Sequence, residues 1–332
     1  MNLLLASTQY GSWTPPLYSD HGGSIDKLVD VIHVFMFVIF IPWAIFFGYC
    51  LLNFRARPGH KASYLPIKAK VSKYAEVAVA VFEAFLLLGM SMPVWAEYKN
   101  NPPASDQRLD IRVVSQQFQW NFHYAGPDGK FGPTNIKLVS ASNPIGLVED
   151  DAAAADDIVR VNECHLPVDK PIYMRLTSMD VIHSFDFPTM RVKQDAIPGM
   201  EIPIWFRVDK SATTDAIRPQ MKMTVPMAKA EWYKIRHHVA AVDHKVKDEV
   251  VLAKGADLGV DLKKGNELLD QLRKKGLAEL TLEPRNPLEI VCAQLCGNSH
   301  FKMKAQVMTH TEDEFKKWVA ESSKKQKLET DF

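Results

Sequence analysis

The chain has 332 residues, enough for one or two domains, and its 40 Lys and Arg against 39 Asp and Glu leave a formal charge of +1. With the basic residues balanced rather than pooled, the composition gives no support to a nucleic-acid partner. Four cysteines are too few for a disulfide-rich secreted scaffold, and the lack of a Cys-x-x-Cys-His motif excludes a covalently attached c-type haem.

Two apolar runs come first. Residues 31–54 (VIHVFMFVIFIPWAIFFGYCLLNF) contain no acid, Lys or Arg. At about 1.5 Å per residue they cross a hydrocarbon core of about 30 Å. Pro42 is expected to kink this span, which membrane helices tolerate when neighbouring groups satisfy the freed carbonyl. A soluble helix rarely stays apolar on every face for so long. The second run, 74–95, is weaker because Glu76 and Glu83 interrupt it, and Trp95 suits its interfacial end. Between the runs lie Arg55, Arg57, Lys61, Lys68, Lys70 and Lys73 without an acid, whereas 1–27 carries Lys27 against Asp20 and Asp26. The positive-inside rule therefore predicts a cytoplasmic loop and both chain ends outside. Met1–Ser7 lacks a basic start and is too short for a cleavable signal peptide, so the first span reads as a retained anchor. Acids within spans are costly and mark candidate functional sites. Glu76 reads equally well as such an acid or as a carboxylate snorkelling to the interface.

From Leu109 the pattern turns to strands: 109–114, 117–124, 158–161, 171–177, 201–207, 288–292 and 304–310. Gly126, Pro127, Asp128 and Gly129 signal a hairpin turn. Many short strands separated by turns indicate a sandwich or barrel. A capping box of Thr311 and Glu314 opens a closing helix that docks Phe315, Trp318 and Val319. Residues 210–286 break the rhythm and read as an insertion with a short helix. Its His237, His238 and His244 are expected at a solvated surface more than around a metal. EDDAAAADD (149–157) reads as a solvated loop, and Cys164-His165 as a core thiol beside a surface imidazole.

The chemistry concentrates in Cys292-Ala-Gln-Leu-Cys296-Gly-Asn-Ser-His300-Phe-Lys-Met303. Soft sulfur donors with imidazole favour copper or zinc over magnesium or calcium, and the thioether favours copper over zinc. Gly297 permits the tight turn that folds these side chains back on one point. Upstream, Asp180-Val-Ile-His183-Ser offers one more imidazole. Two coppers bridged by two thiolates need terminal ligands; His183, His300 and Met303 offer three, and the Gln294 carbonyl a fourth. A Cys292–Cys296 disulfide is the alternative, but it gives no reason for the His and Met spacing.

These residues resemble subunit II of haem–copper oxygen reductases of the cytochrome c oxidase type, over roughly 28–208 and 287–320. The family pattern, Cys-x-Glu-x-Cys-Gly-x-x-His-x-x-Met after Asp-Val-x-His-Ser, is matched at Asp180, His183, Cys292, Cys296, Gly297, His300 and Met303. Lys193 and DAIPG (195–199) also look like the family. The resemblance implies an N-terminal transmembrane hairpin (28–98) followed by a cupredoxin-like barrel with its insertion (106–320) and a charged tail (321–332). It implies a binuclear CuA centre with His183 and Met303 on one copper, His300 and the Gln294 carbonyl on the other, and bridging Cys292 and Cys296. Trp120 would receive the electron, and Glu76 would stand at the mouth of a proton path. The implied partners are the catalytic haem–copper subunit, other oxidase subunits, and cytochrome c or a haem c domain as donor. The implied location is a bacterial inner membrane, with both termini and the copper domain on the periplasmic side; the chain itself would hold no haem.

The chain departs from the family in three respects. Gln294 replaces a glutamate whose carboxylate binds magnesium at the subunit interface, and an amide oxygen is a weaker ligand for a hard cation. Asn121 and Phe122 stand where larger aromatics are common. The insertion is foreign to the pattern. Among other classes, a quinol oxidase subunit would lack the copper ligands. A copper-delivery or electron-transfer protein outside an oxidase would not need the paired spans. Nitrous oxide reductase would need a propeller for which there is no room.

Overall fold

The structure is a computed structural model that describes residues 14–59, 61, 64, 70–235, 238–258 and 262–330. Met1–Ser7, Lys68 and His237 lie outside the described residues. The chain divides into two compact units, His21–Pro102 and Met1–Asp20 with Pro103–Phe332.

In the first unit Gly22–Asn53 forms one helix of 32 residues that continues through Pro42. The second rod runs from Val71 to Asn100 and is interrupted by a π-helical stretch, Leu86–Ser91. Both are long and apolar enough to cross a membrane. Each extends beyond its apolar run, because backbone hydrogen bonding continues into the polar flanks where hydropathy stops. Most of their side chains are exposed within the chain, as expected of helices whose surroundings are lipid or another subunit. The rings of Phe35 and Phe82, one from each helix, stand 4.4 Å apart.

The second unit contains strands β1 (Leu109–Gln116), β2 (Gln119–Tyr124), β3 (Ile158–Val161), β4 (Glu163–Pro167) and β5 (Pro171–Ser178). These are followed by β6 (His183–Phe187), β7 (Val192–Ala196) and β8 (Ile202–Arg207). The inserted segment adds β9 (Met223–Pro226), β10 (His238–Ala240), β11 (His244–Val246), β12 (Glu249–Leu252) and β13 (Glu279–Pro284). Strands β14 (Leu288–Cys292) and β15 (Lys304–His310) complete the domain. One sheet has the order β3-β2-β1-β5-β8, the other β4-β15-β14-β6-β7. The inward positions alternate along β1 and β5, and the inner faces form one core that includes Ile111, Trp120, Phe122, Phe185, Phe206 and Ile290. At Asn162, in the left-handed region with φ 56, the chain passes from one sheet to the other. Its amide donates to Trp120 O and its carbonyl accepts from Gln306 N.

Three segments differ from expectation. The 149–157 stretch is not simply solvated: Asp157 is buried and pairs with His123 at 2.6 Å while accepting from Gly132 N at 2.8 Å. An anchor, rather than solubility, is what an acid at this position supplies to the long loop after β2. His165 is not at the surface. Its ring stacks on Trp318 at 4.0 Å, and it contacts His310 at 2.8 Å and Glu163 at 2.6 Å, because the closing helix covers it. Burial pushes the neighbouring Cys164 thiol up, as expected of a core thiol. The insertion is more than a loop with a helix: β10-β13-β9 and the helix Leu262–Lys274 enclose their own core of Trp232, Leu269, Leu272, Leu280 and Leu282. His244 is buried there and accepts from Thr281 N at 2.7 Å.

The capping box forms as expected: Thr311 N donates to Glu314 Oε2 at 2.9 Å, and Glu314 N donates to Thr311 Oγ1. The helix continues to Thr330, well into the expected tail.

A Cβ on Gly265 would stand 1.8 Å from the Trp232 ring. Gly265→Ala should therefore destabilise the insertion by about 1–3 kcal/mol, read as an earlier local transition by hydrogen exchange with the barrel strands unchanged. Burial first, and then the charge of His165, hold His310 down to about 4. A histidine depressed below its unfolded value contributes stability that is complete above about pH 6.5 and is lost as pH falls toward 4. Over that window thermal stability should drop by about 1–3 kcal/mol, and His310→Phe should flatten the slope.

Candidate metal centre

Strand β14 ends at Cys292, and the loop returns to β15 with Cys292 N donating to Met303 O at 3.1 Å. The loop's donors thus lie on one short chain segment whose ends are joined. His183 comes from the neighbouring strand. Strand β6 pairs with β14 at Val291↔Asp186 and Cys292↔Phe185, and Ala293 N donates to Ser184 O at 2.9 Å.

The donor atoms converge. Cys292 Sγ lies 3.8 Å from Cys296 Sγ, 3.9 Å from His183 Nδ1 and 3.2 Å from Gln294 O. Cys296 Sγ lies 3.6 Å from His300 Nδ1 and 3.8 Å from Met303 Sδ. The ligand atoms of His183, Cys292 and Cys296 all fall within 4.8 Å of one another, and these side chains are buried. Neither cysteine is in a disulfide. Thiol, imidazole and thioether donors at such mutual distances, around two adjacent sulfurs, fit a soft metal and fit two ions sharing the sulfurs.

Supporting groups orient the donors. Asp180 Oδ1 takes the Nε2 side of His183 at 2.8 Å, leaving Nδ1 toward Cys292, and Asp180 also accepts from Gln117 N and Val181 N. Burial acts against the Asp180 charge, but these N–H groups and the imidazole hold its carboxyl below the usual range. Gln117 Nε2 donates to Cys296 O at 2.5 Å. Gly297 has φ +134, and a Cβ there would meet Gln117 Nε2 at 2.8 Å and the Phe118 ring at 3.0 Å. Burial opposes ionising Cys292, yet the His183 ring and the backbone of Ser184 and Gln294 bring it to about 6. Burial and the charge of Cys292 push Cys296 up to about 12. One thiolate therefore forms readily and the second waits for positive charge, which a metal provides.

The residues expected at the site separate into three groups. His183, Cys292, the Gln294 carbonyl, Cys296, His300 and Met303 are brought together. Trp120 is not at the surface: it is fully buried, 6.2 Å from the His183 ring and 5.6 Å from the Phe185 ring. It packs in the inner core, on a strand that is buried continuously from Trp120 to Tyr124. The partly buried ring beside the Cys296–Gly297 turn is Phe118, which went unnoticed in the sequence although it stands two residues before Trp120 on the same aromatic segment. Glu76 belongs to the other unit, near the start of the second span. The Gln294 side chain is exposed, as are Leu295 and Phe301 beside the ligands.

The family model described as cytochrome c oxidase subunit II, periplasmic domain, matches residues 109–214. The alternative cytochrome c oxidase subunit 2 of Bradyrhizobium diazoefficiens is 32% identical over 206 residues, covering 62% of this chain and 72% of that one. Cytochrome c oxidase subunit 2 of Cereibacter sphaeroides is 26% identical over 196 residues, covering 53% and 61%. The crystal structure of the periplasmic domain of subunit II of cytochrome oxidase from Bradyrhizobium japonicum compares with a TM-score of 0.33 at 20% identity, over 68% of this chain and 99% of that one.

Asp180→Asn should leave the barrel folded but release the His183 ring. Copper affinity, measured by chelator competition, should fall about 10- to 100-fold.

Proposed function

Because the chain belongs to the cytochrome c oxidase subunit II family, we propose that His183 and the Cys292–Met303 loop hold a binuclear copper centre. The centre takes electrons from a cytochrome c or a haem c domain and passes them to haem in the catalytic subunit. Oxygen reduction and proton translocation occur in that partner. The observation that carries this reading is the convergence of four donor atoms, from His183, Gln294, His300 and Met303, on the two buried sulfurs of Cys292 and Cys296.

When bound, a thiolate-bridged copper pair supplies one-electron chemistry with little ligand movement. The residues supply rigidity: β14 and β15 hold the loop ends, Asp180 fixes the His183 ring, and Gln117 holds Cys296. His183, Met303, His300 and the Gln294 carbonyl would hold the copper pair together with the two cysteine sulfurs. The exposed amide of Gln294 makes this chain a weak contributor to an interfacial magnesium site.

On this reading Phe118, rather than Trp120, is the aromatic group nearest the donor, with Trp120 setting the interior packing behind His183. The excess of basic residues in the loop supports a cytoplasmic loop with the copper domain outside. Glu76, close to that cytoplasmic end, stands at the mouth of a proton path into the catalytic subunit.

Copper-loaded full chain should give the paramagnetic resonance pattern of one electron shared by two copper nuclei, and Cys296→Ser should remove the sharing. A single-copper pattern from the parent chain, or none, overturns the reading. Phe118→Ala should slow donor oxidation roughly tenfold with the copper spectrum unchanged.

A further inference from the structure

The two spans leave a groove of about 650 Å³, lined on one side by Ile32, Phe35, Met36, Ile39, Phe40 and Trp43 and on the other by Glu83, Leu86, Leu87 and Ser91. Within it Glu83 is the ionisable group. We propose that Glu83 is the polar anchor by which a transmembrane helix of the catalytic subunit, carrying a hydrogen-bonding side chain at matching depth, seats in this groove. The inference rests on the subunit II reading above.

Depth is the first argument. Along the helix Glu83 lies roughly 14 Å from Tyr74 and roughly 18 Å from Trp95. A glutamate side chain cannot reach water from there, whereas Glu76 sits about 3 Å from Tyr74 along the axis and can. A carboxyl group near the middle of a bilayer is costly unless a hydrogen-bonding group meets it. Among the described residues the Glu83 carboxyl group meets no hydrogen-bond donor or cation. Acyl chains offer no donor, so lipid filling the groove leaves the cost in place; a polar residue on a partner helix removes it.

Direction is the second argument. Glu76 and Glu83 are seven residues apart, about 20° short of two full turns, so they share one helix face. If Glu76 opens toward the catalytic subunit, that face meets the same subunit at the depth of Glu83. The π-helical stretch Leu86–Ser91 adds to this. In a regular helix Ser91 would stand about 80° away from Glu83, yet both line the groove. The wider turn keeps a second hydrogen-bonding side chain on the contact face, as π-helical insertions at functional positions do.

The test uses the whole oxidase, purified through a tag on this chain, with the haem-to-copper ratio as readout. Glu83→Gln keeps a hydrogen-bonding group and should preserve the ratio. Glu83→Leu should lower it about three- to tenfold. Leucine favours membrane insertion, and the copper signal reports that the chain is folded, so failed insertion is not the cause of a loss. An unchanged ratio in Glu83→Leu overturns the proposal in favour of a lipid-filled groove. Loss of proton uptake in an intact Glu83→Gln oxidase overturns it in favour of a proton-carrying role. Glu76→Gln tests the proton-path reading separately, since it should slow proton-coupled turnover without changing the haem-to-copper ratio.

Discussion

The short pairing of β6 with β14 is the contact on which the site depends. The Cys292 loop supplies its own donors, but His183 stands 109 positions away. Closing a chain loop of that length costs roughly 4 kcal/mol in entropy. The pairing brings Phe185, Phe187 and Ile290 into the core, all with no exposed surface. Burying a large apolar side chain contributes about 1.5–3 kcal/mol, so these residues are enough to hold the imidazole against the sulfurs before a metal arrives. The site is thus a by-product of the pairing that builds this sheet.

Preorganisation at this site carries a cost that the neighbouring polar groups reduce. Two thiols side by side in a dry setting resist a second ionisation, and Asp180 beside His183 adds a further negative charge. The Gln117 and Val181 N–H groups offset that charge, and Gln117 also ties Cys296 from the opposite sheet. What stays unbalanced is a demand for positive charge at the sulfurs, of the kind a bound soft cation would meet. The exposed Leu295 and Phe301 beside this polar knot give the loop an apolar rim of the kind expected at a protein contact.

Much of the architecture could be read locally. The strands at 109–116, 158–161, 171–178, 202–207, 288–292 and 304–310 follow from alternation, and the closing helix follows from its capping box. Strands β4, β6 and β7 are not legible from alternation because they are short and lie in segments whose Cys, His, Asp and Lys residues suggest chemistry before pairing. Asp157 and His165 share one reason for differing from their local pattern: a charged or polar residue reads as solvated until a partner from a distant segment, His123 or Trp318, covers it. In the insertion, short strands and a Gly-containing helix do not declare a core; the close fit of Gly265 against Trp232 makes one.

By itself the sequence determined that there are two apolar spans, a strand-rich domain after them, and a soft-ligand loop whose four side-chain donors recur within twelve residues. Those are short-range properties, set by hydropathy, alternation and spacing. Tertiary structure alone decided by which strand pairing His183 reaches the loop, that Trp120 faces inward while Phe118 flanks the turn, and that the insertion carries its own core. Each of these depends on which face of a strand is buried and which distant strand it pairs with. A one-residue change in register reverses that choice while leaving composition and local pattern intact.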